Sequence, residues 1–511
     1  MSRGAASWVV LAAVILAACG RVTHNERSTP TDTDTSSAGA PSSAGAPSSA
    51  GAPATDVAFD AVVATLQYGS APKLAPWPRL WGVRLASPSA IALCENCSLV
   101  GTSADLEKVI YVTPPIGYGL PPAGAKQQLG IATTSGRMLT VDGGQGAVWS
   151  PDSTQLLVTS LTGATLYGSP PEPLELDDGN APLDLPAFPF LGDPQWSTTG
   201  RYVSLSTTNG VVVFDATTRN VVHVFAGPQV VAYWEPRANP IIRRPERLAI
   251  VSSVVPVKGE LASHEVYFVN ADGTDEVLAG DGAQASCCSA QAPLAGIGWS
   301  FDGAWFAYST LTSDSPKLTG SMRSIVSVVD ETANNRRDLP AVDTLHESSL
   351  RGSWSPTVVQ LAVASEGQSG GVFELWTPDA SLDLDVRENR GPSKLRWSAD
   401  GALISYDDGS HAPAIFDAMT GRWLMRAQLD WSPSGKGAWS ATGQGTLVVG
   451  DALLGNARPL AGGENATWFP DGFHLAVQVG HSISGGRAEQ LALSDATASA
   501  PEPLVDLPPA P

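Results

Sequence analysis

Trp397-Ser398-Ala399-Asp400-Gly401 leads into an apolar stretch, 403–407, then a second one, 415–417, closed by Ala418-Met419-Thr420-Gly421. Each position has a physical job. The Asp carboxylate bonds back to the turn backbone, Gly accepts φ > 0, and Pro, where present, sets φ at the first corner. The stretch that follows mixes apolar runs with alternation, as strands sandwiched between neighbouring sheets do. The Trp ring can bridge adjacent sheets, and its indole N–H needs an acceptor when buried. The same signature recurs as Trp149-Ser-Pro-Asp-Ser, Trp196-Ser-Thr-Thr-Gly, Trp234-Glu-Pro-Arg-Ala, Trp299-Ser-Phe-Asp-Gly, Trp354-Ser-Pro-Thr-Val, Trp431-Ser-Pro-Ser-Gly and Trp468-Phe-Pro-Asp-Gly. Successive copies lie 47, 38, 65, 55, 43, 34 and 37 residues apart, a mean near 46. That is the period of four-stranded propeller blades. Eight of the 15 Trp occupy this one position, so the repeat governs the fold.

These motifs resemble the WD40-like repeats of TolB-type β-propellers, over roughly residues 147–511. The resemblance implies an all-β propeller of four-stranded blades that scaffolds protein–protein contacts. Eight blades are expected, with seven as the alternative. Trp234 lacks the Ser and the turn Gly, Trp354 is followed by Thr-Val in place of Asp-Gly, and Trp439-Ser-Ala-Thr-Gly competes with Trp431 for one blade opening. Residues 55–146 are expected to form an N-terminal helix over 56–67 and strands near 105–114 and 129–141. These would close the ring or add an irregular blade.

Upstream, Arg3 precedes an 11-residue apolar run, Trp8 to Ala18, far short of the roughly 20 residues of a spanning helix. Residues 1–18 therefore read as a signal peptide. The run ends in Leu16-Ala17-Ala18-Cys19-Gly20, which resembles a bacterial lipobox. The resemblance implies that Cys19 is diacylated and becomes the new N-terminus, anchoring the chain to a membrane. Gly20, by the sorting rule of enteric bacteria, favours the outer over the inner membrane. Residues 19–54, with Ser-Ser-Ala-Gly-Ala-Pro three times between Ser36 and Pro53, read as a disordered tether.

The whole chain has 511 residues, 30 Lys+Arg and 50 Asp+Glu, a formal net charge of -20. That excludes a general affinity for nucleic-acid phosphates, which needs a basic footprint. Pro and Gly total 91 residues, which argues against long helices.

Candidate site residues are few. Cys94-Glu-Asn-Cys97 reads as a structural disulfide in an oxidising compartment, with redox or zinc chemistry as alternatives. Cys287 and Cys288 could form a vicinal disulfide or cross-pair with the first two. Arg237, Arg243, Arg244 and Arg247 form a basic island in the longest repeat, suited to an anionic partner, although solvated loop charges have the same pattern. Arg336-Arg337 add two more. Gly367-Gln368-Ser369-Gly370-Gly371 matches a nucleophile elbow, but the strand pattern on both sides reads as a hairpin tip. His264-Glu265 and His346-Glu347 lack a second His, and His474 reads as a satisfied core or channel residue. Asp272-Gly273 and Asp407-Asp408-Gly409 read as hairpin turns. No catalytic residue, metal ligand or cofactor is assigned. The expectation is a monomeric, envelope-anchored lipoprotein binding an envelope protein or glycan. The alternative is a propeller enzyme of lyase or glycan hydrolase type, with its site in the channel mouth.

Overall fold

The repeats fold as antiparallel sheets in strict chain order. The computed structural model describes residues 59–507 except 68–76, 96, 114–127, 134–137, 143, 161–162, 168–193, 208, 228–229, 237–245, 255–261, 285–295, 314–321, 340–341, 344–350, 366–371, 385–393, 408–411, 442–445, 461, 484–485 and 498–500. Ten blades follow one another: blade 1 (61–95), 2 (98–142), 3 (144–167), 4 (195–226), 5 (231–284), 6 (296–343), 7 (351–384), 8 (394–426), 9 (430–460) and 10 (463–507). Blades 1 and 3 have three described strands. Blades 5 and 6 are joined edge to edge by one residue pair, Ala283↔Leu311. First strands of consecutive blades are neighbours in much of the ring, which places them at its inner edge.

Buried apolar clusters fill the seams. Phe268, Trp299 and Phe306 join blades 5 and 6. Phe373, Tyr406 and Phe416 join blades 7 and 8. Ala61, Val63, Trp81 and Val83 pack on Phe469, Ala476, Leu491 and Leu507, so blade 1 closes the ring against blade 10.

The count of seven or eight blades is thus corrected to ten. Two blades precede Trp149 where a helix and loose strands were expected. Ala61–Gln67 is a strand in which Ala61, Val63 and Thr65 are buried while Val62 and Ala64 are half-buried, a period of two that its small residues masked. It pairs with Trp77–Arg84, whose Trp81 indole donates to Thr65. Blade 2 does carry the motif turn, disguised: Thr102-Ser103-Ala104-Asp105-Leu106 has Thr for Trp and Leu for Gly. Leu106 adopts φ 57°, the conformation that Gly401 adopts at φ 70° in blade 8. A branched side chain there is costly, and only this geometry shows the equivalence. Ring closure uses no exchanged strand: blade 10 is built from Gly463–Trp468, His474–Ile483, Gly486–Asp495 and Glu502–Leu507.

Where the motif has its serine, the hydroxyl holds the turn. In blade 8, Ser398 is fully buried; its Oγ accepts from Leu403 N–H at 2.9 Å and donates to Asp400 at 2.7 Å. Asp400 in turn accepts from Ala402 N–H at 3.1 Å. Ser150 and Ser300 repeat the arrangement with Asp152 and Asp302. Where Asp is missing the hub is re-partnered: Ser197 of blade 4 donates to Glu246 of blade 5 at 2.8 Å.

Candidate functional site

The motif Trp turns out to be an inter-blade staple. The indole N–H donates to the backbone carbonyl of the residue just before the motif Trp in the preceding blade. Trp196 reaches Val148 O at 3.2 Å, Trp234 reaches Gln195 O at 3.1 Å and Trp299 reaches Tyr233 O at 2.9 Å. Trp354 bonds Gly298 O at 2.8 Å, Trp397 bonds Ser353 O at 3.0 Å, and Trp468 bonds Asp430 O at 3.1 Å. One bond both satisfies a buried donor and locks two sheets together.

The seam between blades 8 and 9 breaks the rule. Trp431 turns back onto its own blade and donates to Ala452 O at 3.0 Å. None of the nine buried apolar clusters spans this seam, while every other seam has one. Seams without a described inter-blade staple, such as that between blades 1 and 2, keep a cluster. The 8–9 seam therefore has neither device among the described residues. Places where a repeat abandons its own stabilising rule are candidates for function.

Strand alternation shows what faces the seam. In Lys394–Trp397, Leu395 and Trp397 pack into the blade 7–8 cluster. Lys394 and Arg396 therefore point the other way, toward blade 9, and both are exposed. Their cross-strand neighbours are Asp407 and Ser405. From blade 9, Trp431 pairs with Ala438, and Ser440 pairs with Val448. Ser405 and Ser440 thus stand on the facing sides of this seam beside the buried Leu403, Ile415 and Ala438, which join no cluster spanning both blades. On the other face of blade 9, Asp430 lies opposite Trp439, which packs on the blade 9–10 cluster. Burial pushes the Asp430 carboxyl above the ordinary carboxylate range, against the opposing pull of Arg396 and the Trp439 indole. The Trp439 Nε1 is buried without a hydrogen bond of normal geometry. Perturbed carboxyls beside unpaired cations mark candidate functional sites.

The residues singled out in the sequence lie elsewhere. Cys94 and Cys97 are bonded to each other, with Cα atoms 6.2 Å apart and Cys97 buried in the blade 1–2 core. Arg247 is bound within the ring: it donates to Glu331 O of blade 6 at 2.9 Å and lies over the Phe268 ring. Arg336 pairs with Asp338 at 2.9 Å and Asp281 at 3.5 Å, and Arg337 donates to Pro378 O of blade 7. His474 meets Asp471 at 2.5 Å in the blade 10 turn, between Phe469 and Phe473. Leu361–Ser365 and Val372–Trp376, which flank the Gly-x-Ser-x-Gly stretch, are antiparallel partners, with no helix after the motif. Asp272 caps its own turn, accepting from Thr274 N–H at 3.0 Å. Cys19, Arg237, Arg243, Arg244, Cys287, Cys288, His346, Ser369 and Asp408 lie outside the described residues. Among the described residues, no three His, Cys, Asp or Glu side chains are grouped to hold a metal ion.

Sequence reasoning passed over Lys394, Arg396 and Asp430, and read Trp439 only as a rival blade opening. A signal was present. Of the residues before the eight motif Trp (Val148, Gln195, Tyr233, Gly298, Ser353, Arg396, Asp430 and Thr467), only Arg396 and Asp430 are charged.

No protein-family model and no curated protein matches the sequence. Among solved structures the chain is similar to a eukaryotic initiation factor (12% identity, TM-score 0.44, covering 74% of this chain and 93% of that one). It is also similar to Porphyromonas gingivalis dipeptidyl peptidase 4 (14% identity, TM-score 0.41, 72% and 60%). A third is the β-propeller domain of the Trilobed protease from Pyrococcus furiosus (10% identity, TM-score 0.31, 70% and 91%). At such identities the likeness concerns fold alone. The sheets themselves make this protein an all-β β-propeller.

Proposed function

We propose that the propeller is a non-enzymatic binding scaffold, of the kind its resemblance to TolB-type propellers implies, held in the bacterial cell envelope by lipid on Cys19. One observation carries the reading: blade 8 presents Lys394 and Arg396, exposed and without an ion pair among the described residues, on the inner strand beside the one seam that lacks both a staple and a core. The motif serines and aspartates, by contrast, are engaged in holding turns. The partner is an envelope protein or glycan. The test is crosslinking in intact cells, then capture of the full-length protein and mass spectrometry, with a non-lipidated Cys19→Ser form as control. Recovery of a specific envelope component that the control loses supports the reading; equal recovery from both overturns the anchored-scaffold reading.

A second reading, a lyase or glycan hydrolase, is favoured by Asp430 alone, because a carboxyl held toward its protonated form suits general acid work. Glycan turnover abolished by Asp430→Asn would select it.

A further inference from the structure

We propose that the channel-side edge of the blade 8–9 seam binds an oxyanion, a carboxylate or phosphate group borne by the partner, with Arg396 as its main recognising group and Lys394 as a second donor. The proposal rests on the scaffold reading and names the chemistry that the scaffold holds.

Lys394 and Arg396 are two residues apart on one strand, so their side chains leave the same face about 7 Å apart. A bound oxyanion could lie between them. Neither has a hydrogen bond or ion pair among the described residues, in a chain with 50 acidic and 30 basic side chains. An Arg fork without an acceptor is an open bidentate site for a carboxylate or phosphate. Neither Asp407, opposite Lys394, nor Asp430 forms an ion pair with Lys394 or Arg396 within 4 Å. Ser405 and Ser440 offer hydroxyls on the two facing blades. Trp431, by folding back to Ala452, leaves this stretch free of the ring that crosses most other seams.

The experiment is calorimetric titration of the full-length protein at low salt, with inorganic phosphate in one arm and glutarate in the other. The arms separate phosphate-bearing from carboxylate-bearing partners. Expected is saturable binding of at least one probe, weakened roughly tenfold or more by Arg396→Gln and several-fold by Lys394→Gln. Lys436→Gln, an exposed turn lysine of blade 9, should leave the affinity within about twofold, since exposed charges act weakly at a distance. Should Arg396→Gln fail to fold, Arg396→Lys keeps the charge, loses the fork, and should still weaken binding. The proposal is overturned by no saturable binding up to about 10 mM of either probe, by unchanged affinity in the Arg396 variant, or by equal loss in Lys436→Gln. Capture of an envelope partner that survives Arg396→Gln would leave the scaffold reading standing and remove this site.

Discussion

Replacing Trp397 with Phe isolates the inter-blade staple. The substitution keeps an aromatic ring against Phe373 and Tyr406 but deletes the N–H that meets Ser353 O at 3.0 Å. Losing one neutral hydrogen bond costs about 0.5–1.5 kcal/mol net. The Ser353 carbonyl is half-buried at the inner edge, so water replaces part of the lost partner, and the further cost sits near the low end of about 1–3 kcal/mol. Shrinking the ring adds roughly 1 kcal/mol for the unfilled volume. The expected loss is therefore about 2.5–3.5 kcal/mol, read from urea unfolding. Trp431→Phe is the matched control, because its bond to Ala452 O is also 3.0 Å but stays within blade 9. The two variants should lose similar stability yet differ in place. Amide exchange should rise across blades 7 and 8 in Trp397→Phe and within blade 9 alone in Trp431→Phe. A loss below about 0.5 kcal/mol, less than the weakest ordinary hydrogen bond, would refute the staple. So would exchange patterns that do not differ between the variants.

Four further outcomes are expected. Ser398→Ala orphans the Leu403 N–H and the Asp400 carboxylate in a fully buried turn, and should cost about 2–4 kcal/mol in thermal or urea unfolding. Asp272 and Asp417 are held below the ordinary carboxylate range chiefly by the hydroxyls of Thr274 and Thr420, so their stabilising contribution is present above the unfolded pKa of roughly 4 and is lost as pH falls through their lower folded values. Asp272→Asn/Asp417→Asn should accordingly flatten the fall of the urea midpoint on acidification. Asp430 has the opposite sign: its raised folded pKa favours the native state at low pH and penalises it once pH rises through that value, so Asp430→Asn should gain stability relative to the parent at pH 7 and lose that advantage near pH 3. Hydrogen exchange at low urea should open first along Lys394–Trp397 and Asp430–Trp431, the strands flanking the seam without a core; first opening at the blade 5–6 seam would contradict it.

Much of the ring was legible because its turn chemistry is local. A buried Ser, an Asp two residues on and a Gly at positive φ specify a tight corner within five residues, complete after Trp299 and Trp397 and partial in the other six copies. The two blades upstream of Trp149 were hidden for physical reasons. Leu106 takes on the conformational strain that Gly relieves elsewhere, and Thr102 stands where Trp would staple, so blade 2 keeps only Ser103 and Asp105 of the pattern. Blade 1 relies on Trp81 reaching Thr65, a bond invisible without the strand register. The site was less legible still. The Arg island drew attention by density along the chain, yet Arg247, its one described member, serves as a tie between blades. Arg396 has few charged neighbours in sequence, and its importance comes from facing a seam that other residues failed to fill.

Ring geometry makes that failure informative. In an open array of repeats a weak interface costs only its own contacts, because stability sums over neighbours. In a ring whose tenth blade packs on the first, the loss of one seam does not separate the molecule, since the other nine hold its two sides in place. A closed ring therefore tolerates one seam whose inner edge carries Lys394, Arg396, Ser405 and Ser440 and whose buried Leu403 and Ile415 join no cluster spanning both blades. Its turn ends still nest: a Cβ added at Gly435 of blade 9 would come within 2.5 Å of Asp400 of blade 8. The seam is thus tight at the turn face and polar at the inner edge. That combination holds the cations in position without sealing them under an apolar core, as a recognition site requires. On the oxyanion-site proposal, the fold-back of Trp431 onto Ala452 O has a use, since an indole thrown across to Arg396 O would cover the side chains the proposal invokes.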